Sequence, residues 1–336
     1  MSSGFLASEP FRPARGLKSP HAQTIYAALF RPRRVPPVVR ERWETSDGDF
    51  VDIDLLTGER GTPCVLVLHG LEASARASYV AEILRGCKQR GWSAAALNFR
   101  SCSGELNRLP RFYHSGETED VLLAIQRVRQ QVSGPLFAVG FSLGGNVLLV
   151  LLANLGERAP LDAAVAISVP YDLQACARTL DSGRGVYAAY RFWFLRSLRH
   201  KALAKLSLHP GFVDAVRIRR ARGIEQFDDA VTAPLHGFAN AAEYYARCSS
   251  GPLLGQIRRP TLLITAADDP LARVPVPECA GANPALTVLI TEQGGHVGFV
   301  AGSPWKPRYW AEQQALSFLE NIQRTGAASV ERNPEP

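Results

Sequence analysis

VGFSLGGNVLL, Val139 to Leu149, sets one serine between glycines, directly after one apolar run and directly before another. The spacing predicts that Ser142 ends a strand and that Gly144 opens a helix, so the chain must reverse within very few residues. Glycines at 140 and 144 let strand and helix approach without a Cβ between them. Strand, sharp turn and helix with a hydroxyl held above the helix N-terminus make up a nucleophile elbow. The G-x-S-x-G pattern is short enough to arise by chance, so the surrounding sequence has to carry the reading.

Outward from the elbow, short continuous apolar runs alternate with helical ones. The runs are CVLVLHG (64–70), SAAALNF (93–99), PLFAVGFS (135–142), AAVAISVP (163–170), TLLITAADD (261–269) and LTVLITE (286–292). Residues 79–90, 117–131 and 144–155 carry apolar positions at helical spacing between them. This alternation predicts an α/β protein, a mostly parallel twisted sheet with helices on both faces. Ahead of it, VVRERWETSDGDFVDIDLL alternates about Asp47-Gly48 and predicts an antiparallel hairpin.

The alternation stops over residues 174–259, which predicts a helical cap inserted between two halves of a core, 38–173 and 260–324. Within it, VYAAYRFWFLRSLRHKALAK (186–205) is aromatic and basic together. The preferred reading is an amphipathic helix packing its aromatics on the main domain; a lid over an acyl pocket or against lipid is the alternative. Residues 1–37, rich in Arg and Pro, predict an extended N-terminal arm, and 325–336 a disordered tail after a final helix near 308–323.

With 336 residues, 46% of them hydrophobic, the chain can bury a large core. Its charge of +7 is spread among 31 acidic residues, without zinc-ligand spacing or a long basic block, which argues against nucleic-acid binding and leaves peripheral contact with anionic lipid open. Six scattered cysteines without a CxxC pair fit a reducing compartment. No apolar leader or membrane-length run is visible, so a soluble, cytoplasmic protein is expected.

A serine hydroxyl needs a base within reach, and the base a carboxylate to orient it. Elbow folds supply these in the chain order Ser, Asp, His. LLITAADDP places Asp268 and Asp269 at a strand end, and LITEQGGHVGF places His296 in a glycine-rich turn after the last strand. Asp269, before Pro270, is assigned the orienting role and Asp268 a turn role. The oxyanion donors are assigned to the amides of Leu143 and of Leu71 in the LHGLEAS loop, with His69 and Gly70 shaping that loop. His114, Cys102 and Asp120 lie close in sequence at no metal-ligand spacing and are read as structural. His200, His209 and His236 lack carboxylate partners in sequence. No cofactor or metal is required.

These motifs together resemble the YheT-like branch of the α/β-hydrolases, which includes animal abhydrolase-domain lipases and plant embryogenesis-associated proteins. GLKSPHAQTIYAALFRP, HGLEASARASYV, NFRSCSGELNRLPRFYHSGETEDV, GFSLGGNVLL, TAPLHGFANAAEYYARCSS, ITAADDP and GGHVGF carry the resemblance almost end to end. Ala73 and Ser101 depart from glycines common in the family. The resemblance implies serine hydrolysis of carboxylic esters, lipid-like in some members. An acyltransferase using the same acyl-enzyme, or a non-catalytic ligand-binding module, stays open at this level. Serine at 142 argues against the carboxylate nucleophile of epoxide- or haloalkane-type chemistry.

Overall fold

The computed structural model describes residues 9–331, with side chains described as far as residue 325. Its centre is an eight-stranded sheet of β1 (Val39–Glu44), β2 (Phe50–Leu56), β3 (Cys64–Leu68), β4 (Ser93–Asn98), β5 (Leu136–Phe141), β6 (Ala163–Ile167), β7 (Thr261–Ala266) and β8 (Leu286–Thr291). Their order across the sheet is β1-β2-β4-β3-β5-β6-β7-β8. Only the β1–β2 and β2–β4 pairings are antiparallel, as the Asp47-Gly48 turn demands; every pairing from β4 to β8 is parallel.

Strands β3, β5, β6 and β7 are buried along their whole length because helices cover both faces. Helices α3 (Glu119–Gln131) and α4 (Leu143–Leu155) pack one face through Val121, Ile125, Val147 and Leu151. On the other lie α2 (Ser78–Gln89) and α12 (Trp310–Glu331), with Val80, Ile83, Ala315 and Leu319 in the core.

Between β6 and β7 run α5 (Leu173–Ser182), α6 (Val186–Leu208), α7 (Ala215–Arg220), α8 (Ile224–Phe227), α9 (Ala233–Leu235) and α10 (Ala241–Cys248), with no strand among them. These helices build their own core from residues such as Leu180, Leu195, Ile218, Phe227 and Tyr244. A short helix α11 (Cys279–Ala282) leads into β8. Among the described residues no helix is long and apolar enough to cross a membrane.

Four features differ from the sequence expectations. The expected extended arm contains helix α1 (Pro20–Phe30), whose Gln23, Thr24 and Ala27 are buried. Pro20 at the helix start is tolerated because that backbone nitrogen lacks an intrahelical partner in any case. A second sheet, β9 (Val300–Ser303) with β10 (Lys306–Tyr309), follows the glycine-rich turn and bridges back to Pro13. Helix α12 continues past residue 323 into the expected tail, while 332–336 lie outside the described residues. On α6 the aromatics are divided: Tyr190 and Phe194 are partly buried, but Phe192 and Trp193 stand 68% and 67% exposed.

Candidate active site

The C-terminal ends of the parallel strands converge on one rim. At the end of β5, Ser142 has φ 51° and ψ −120°, a conformation that L-residues seldom adopt and that the surrounding packing must hold in place. The packing leaves no room for alternatives at its flanking glycines. A Cβ on Gly140 would lie 2.6 Å from the Gly144 carbonyl oxygen, and one on Gly144 would lie 2.5 Å from that of His69.

Asp269, after β7, is buried, and its Oδ1 accepts hydrogen bonds from the Leu271 and Ala272 amides at 2.8 and 2.9 Å. His296 sits in the turn after β8. Its Nδ1 lies 2.9 Å from Asp269 Oδ2, and its Nε2 lies 2.9 Å from Ser142 Oγ. With the carboxylate accepting from Nδ1–H, Nε2 is left to accept the serine proton. Asp268 turns elsewhere, its Oδ1 accepting from the Gly295 amide at 2.9 Å. It shapes the histidine turn rather than touching the ring.

The turn carrying His296 is fastened from the N-terminal segment. The His296 amide donates to Thr24 Oγ1 at 2.9 Å, and the Val300 amide donates to Gln23 Oε1 at 2.7 Å. Arg31, paired with buried Glu312, donates to the carbonyls of Val297 and Gly298. Composition suggested a surface arm here; the polar partners that bury it lie some 277 residues away in sequence.

In the loop after β3 the Gly70 amide donates to Tyr79 Oη at 3.0 Å and the Glu72 amide to Tyr113 Oη at 2.7 Å. Between them the Leu71 amide, like that of Leu143, has no acceptor among the described residues. Leu71, Ser142, Leu143 and His296 border one cavity. His69 braces this loop: its Nδ1 reaches the Gly70 carbonyl at 2.8 Å and its Nε2 accepts from the Phe99 amide at 3.2 Å. Burial pushes the His69 imidazole down to about 4, so it is neutral at pH 7.

Sequence reasoning missed the buried cluster around Glu72. That residue has φ 56°, and its carboxylate accepts from Tyr113 Oη at 2.9 Å, from Lys201 Nζ at 3.0 Å and from the Ser197 hydroxyl. Ser197 and Lys201 belong to α6, so the insertion is tied to the residue next to Leu71. The glutamate of HGLE was visible in the sequence; its partners on α6 carried no local signal.

The cavity is about 140 Å³ and apolar, walled by Leu180, Phe194, Leu198, Phe227, Val231 and Leu271. Asp228 supplies a polar group there, accepting from Thr232 Oγ1 at 2.6 Å and Tyr245 Oη at 2.7 Å. Burial raises its carboxyl to about 6.

Elsewhere, His114, Glu117 and His236 bring potential ligand atoms within 4.8 Å of one another. Arg111 already pairs with Glu117, so that carboxylate has a cationic partner. Burial, the second imidazole and Arg111 hold His114 far below its ordinary value. Asp120 pairs instead with buried Arg100, and Cys102 lies 3.4 Å from Lys201 Nζ. His209 caps the Arg108 carbonyl at 2.7 Å, and His200 is exposed on α6.

A family profile described as alpha/beta hydrolase fold matches residues 63–303. Escherichia coli YheT, named as a candidate esterase, is 38% identical over 322 residues, covering 94% of each chain. A Saccharomyces cerevisiae monoacylglycerol lipase is 30% identical, across 79% of this chain and 60% of its own. Among solved structures, mouse alpha/beta hydrolase domain-containing protein 10 is similar in fold, with a TM-score of 0.51 at 15% identity over 85% of this chain and 99% of that one. Sheet order, elbow and similarity over nearly the whole length agree: the chain belongs to the α/β-hydrolase family, in the branch of YheT.

Proposed function

We propose that the protein hydrolyses carboxylic esters with a short to medium apolar acyl group, acylglycerols among them, through Ser142, His296 and Asp269. The observation that carries this reading is the continuous relay from hydroxyl to imidazole to carboxylate, with both links at 2.9 Å, opening into an apolar cavity. The relatives named as lipase and candidate esterase support the substrate class.

Ser142 Oγ attacks the ester carbonyl carbon while its proton passes to His296 Nε2. The carbonyl oxygen, now negative, accepts from the Leu71 and Leu143 amides, each supplying about 3 kcal/mol of transition-state stabilisation. Collapse breaks the bond to the alcohol oxygen, which leaves with the proton from His296. A water then gives its proton to His296 and attacks the acyl carbon; the acid departs and Ser142 regains its hydrogen. Asp269 keeps Nδ1 protonated throughout and stabilises the imidazolium.

An engineered cavity of about 150 Å³ holds one benzene, so a cavity near 140 Å³ suits an acyl chain of roughly six carbons. A panel of nitrophenyl esters from acetate to palmitate should peak at about four to eight carbons. A fluorophosphonate probe should label wild type and not Ser142→Ala. Absence of labelling on folded protein would overturn the reading.

A further inference from the structure

Eleven large apolar side chains are exposed among the described residues, and seven of them gather in one neighbourhood. Ile25, Leu29 and Phe30 lie on α1, Val186, Phe192 and Trp193 on the first half of α6, and Trp305, 95% exposed, in the turn between β9 and β10. The three elements are joined. His21 Nδ1 on α1 lies 3.1 Å from Tyr190 Oη on α6, and Tyr26 Oη on α1 donates to the Pro304 carbonyl at 2.5 Å. Ile25 and Leu29 follow His21 at one-turn intervals, while Val186 and Trp193 flank Tyr190 at helical spacing, so the apolar stripes meet where the helices touch.

The same segments are basic without acidic relief. Between Glu9 and Glu41 the chain has no carboxylate, nor does it between Asp181 and Asp214. Arg15, Lys18, Arg33 and Arg34 beside α1, and Arg184 and Arg196 on or beside α6, are exposed, and none is in an ion pair among the described residues. Exposed aromatics amid unpaired cations are suited to a surface that is apolar within and anionic at its boundary. One turn on from Tyr190, the adjoining side of α6 presents Phe194, Leu198 and Lys201 to the cavity that contains Ser142.

We propose that the face formed by α1, the first half of α6 and the β9–β10 turn docks the protein on a bilayer containing anionic lipid. Docking places the exposed aromatics of α6 in the headgroup region and Phe194, Leu198 and Lys201 along the cavity, a short route for a membrane-dissolved ester. The route rests on the ester-hydrolase reading; the docking does not.

The test is flotation of the full chain with vesicles of phosphatidylcholine alone or with about 30% phosphatidylglycerol, at low and high salt. The anionic vesicles should bind at least tenfold more protein, and high salt should weaken that binding. Phe192→Ser/Trp193→Ser should reduce it at least tenfold while leaving hydrolysis of a water-soluble short-chain ester unchanged. No binding of wild type to anionic vesicles would overturn the proposal, as would undiminished binding by the double variant. A wild-type dimer that the double variant converts to monomer by sedimentation would instead assign the face to a second copy. Flotation reads binding alone, so a catalytically inactive preparation still tests it.

Discussion

At Ser142 the backbone sets the geometry of the proposed nucleophile. A non-glycine residue at φ 51° costs of order 1–3 kcal/mol, and that cost is met by the bonds around it, including Ser142 N–H to the Ile167 carbonyl at 2.8 Å. The strain aims Oγ at His296 before any substrate arrives. In the proposed mechanism the three side chains act as a unit, so Ser142→Ala and His296→Ala should each lower kcat by about 10⁴-fold or more, measured on a soluble ester. The neighbouring aspartates separate structure from chemistry. Asp269→Asn should cost far more in kcat than Asp268→Asn, since only Asp269 reaches the ring, whereas Asp268 holds the Gly295 amide. A reversed ranking would reassign the orienting carboxylate. The convergence of Ser142, Asp269 and His296 on one rim was legible in the sequence because an elbow pattern ties residue types, strand ends and chain order together.

At the scale of elements, the tie between α6 and the loop after β3 is the connection that local pattern did not reveal. Lys201 lies 129 residues from Glu72, and no periodicity links a helix lysine to a loop glutamate that far away. In the proposed mechanism Glu72 is a positioning residue: it touches no reacting atom, but its amide and carboxylate, held by Tyr113, Ser197 and Lys201, fix the residue next to Leu71. Glu72→Gln, and more strongly Lys201→Met, should lower kcat about tenfold with KM little changed, because a misdirected Leu71 amide weakens only the transition state. A rise in KM alone would reduce the cluster to packing. Strands and covering helices were readable from period, while α1 was not: three of its large apolar side chains are exposed, and two of its three buried residues, Gln23 and Thr24, are polar. The β9–β10 pair is four residues per strand, too short for alternation to register.

Across the whole molecule, buried titratable groups make stability depend on pH in opposing directions. Asp228, half-buried against the cavity, has its carboxyl raised from 3.8 to about 6 by burial. The folded state therefore holds a proton that the unfolded chain releases, and the stability it contributes is present below about pH 4 and lost as pH rises through 6. Asp228→Asn should raise the urea midpoint above pH 6, by up to roughly 3 kcal/mol in stability, and the gain should vanish near pH 4. His69 and His236 act oppositely: burial takes them from 6.5 to about 4 and about 3, so their contribution is present above 6.5 and lost on acidification through those values. The fastening of the histidine turn by α1 also sets an order of events during synthesis. Gln23 leaves the ribosome 277 residues before Val300, an interval of roughly 15–55 s at ordinary elongation rates. Helix α1 waits for β9, so the turn carrying His296 is not fastened until Val300 has been made.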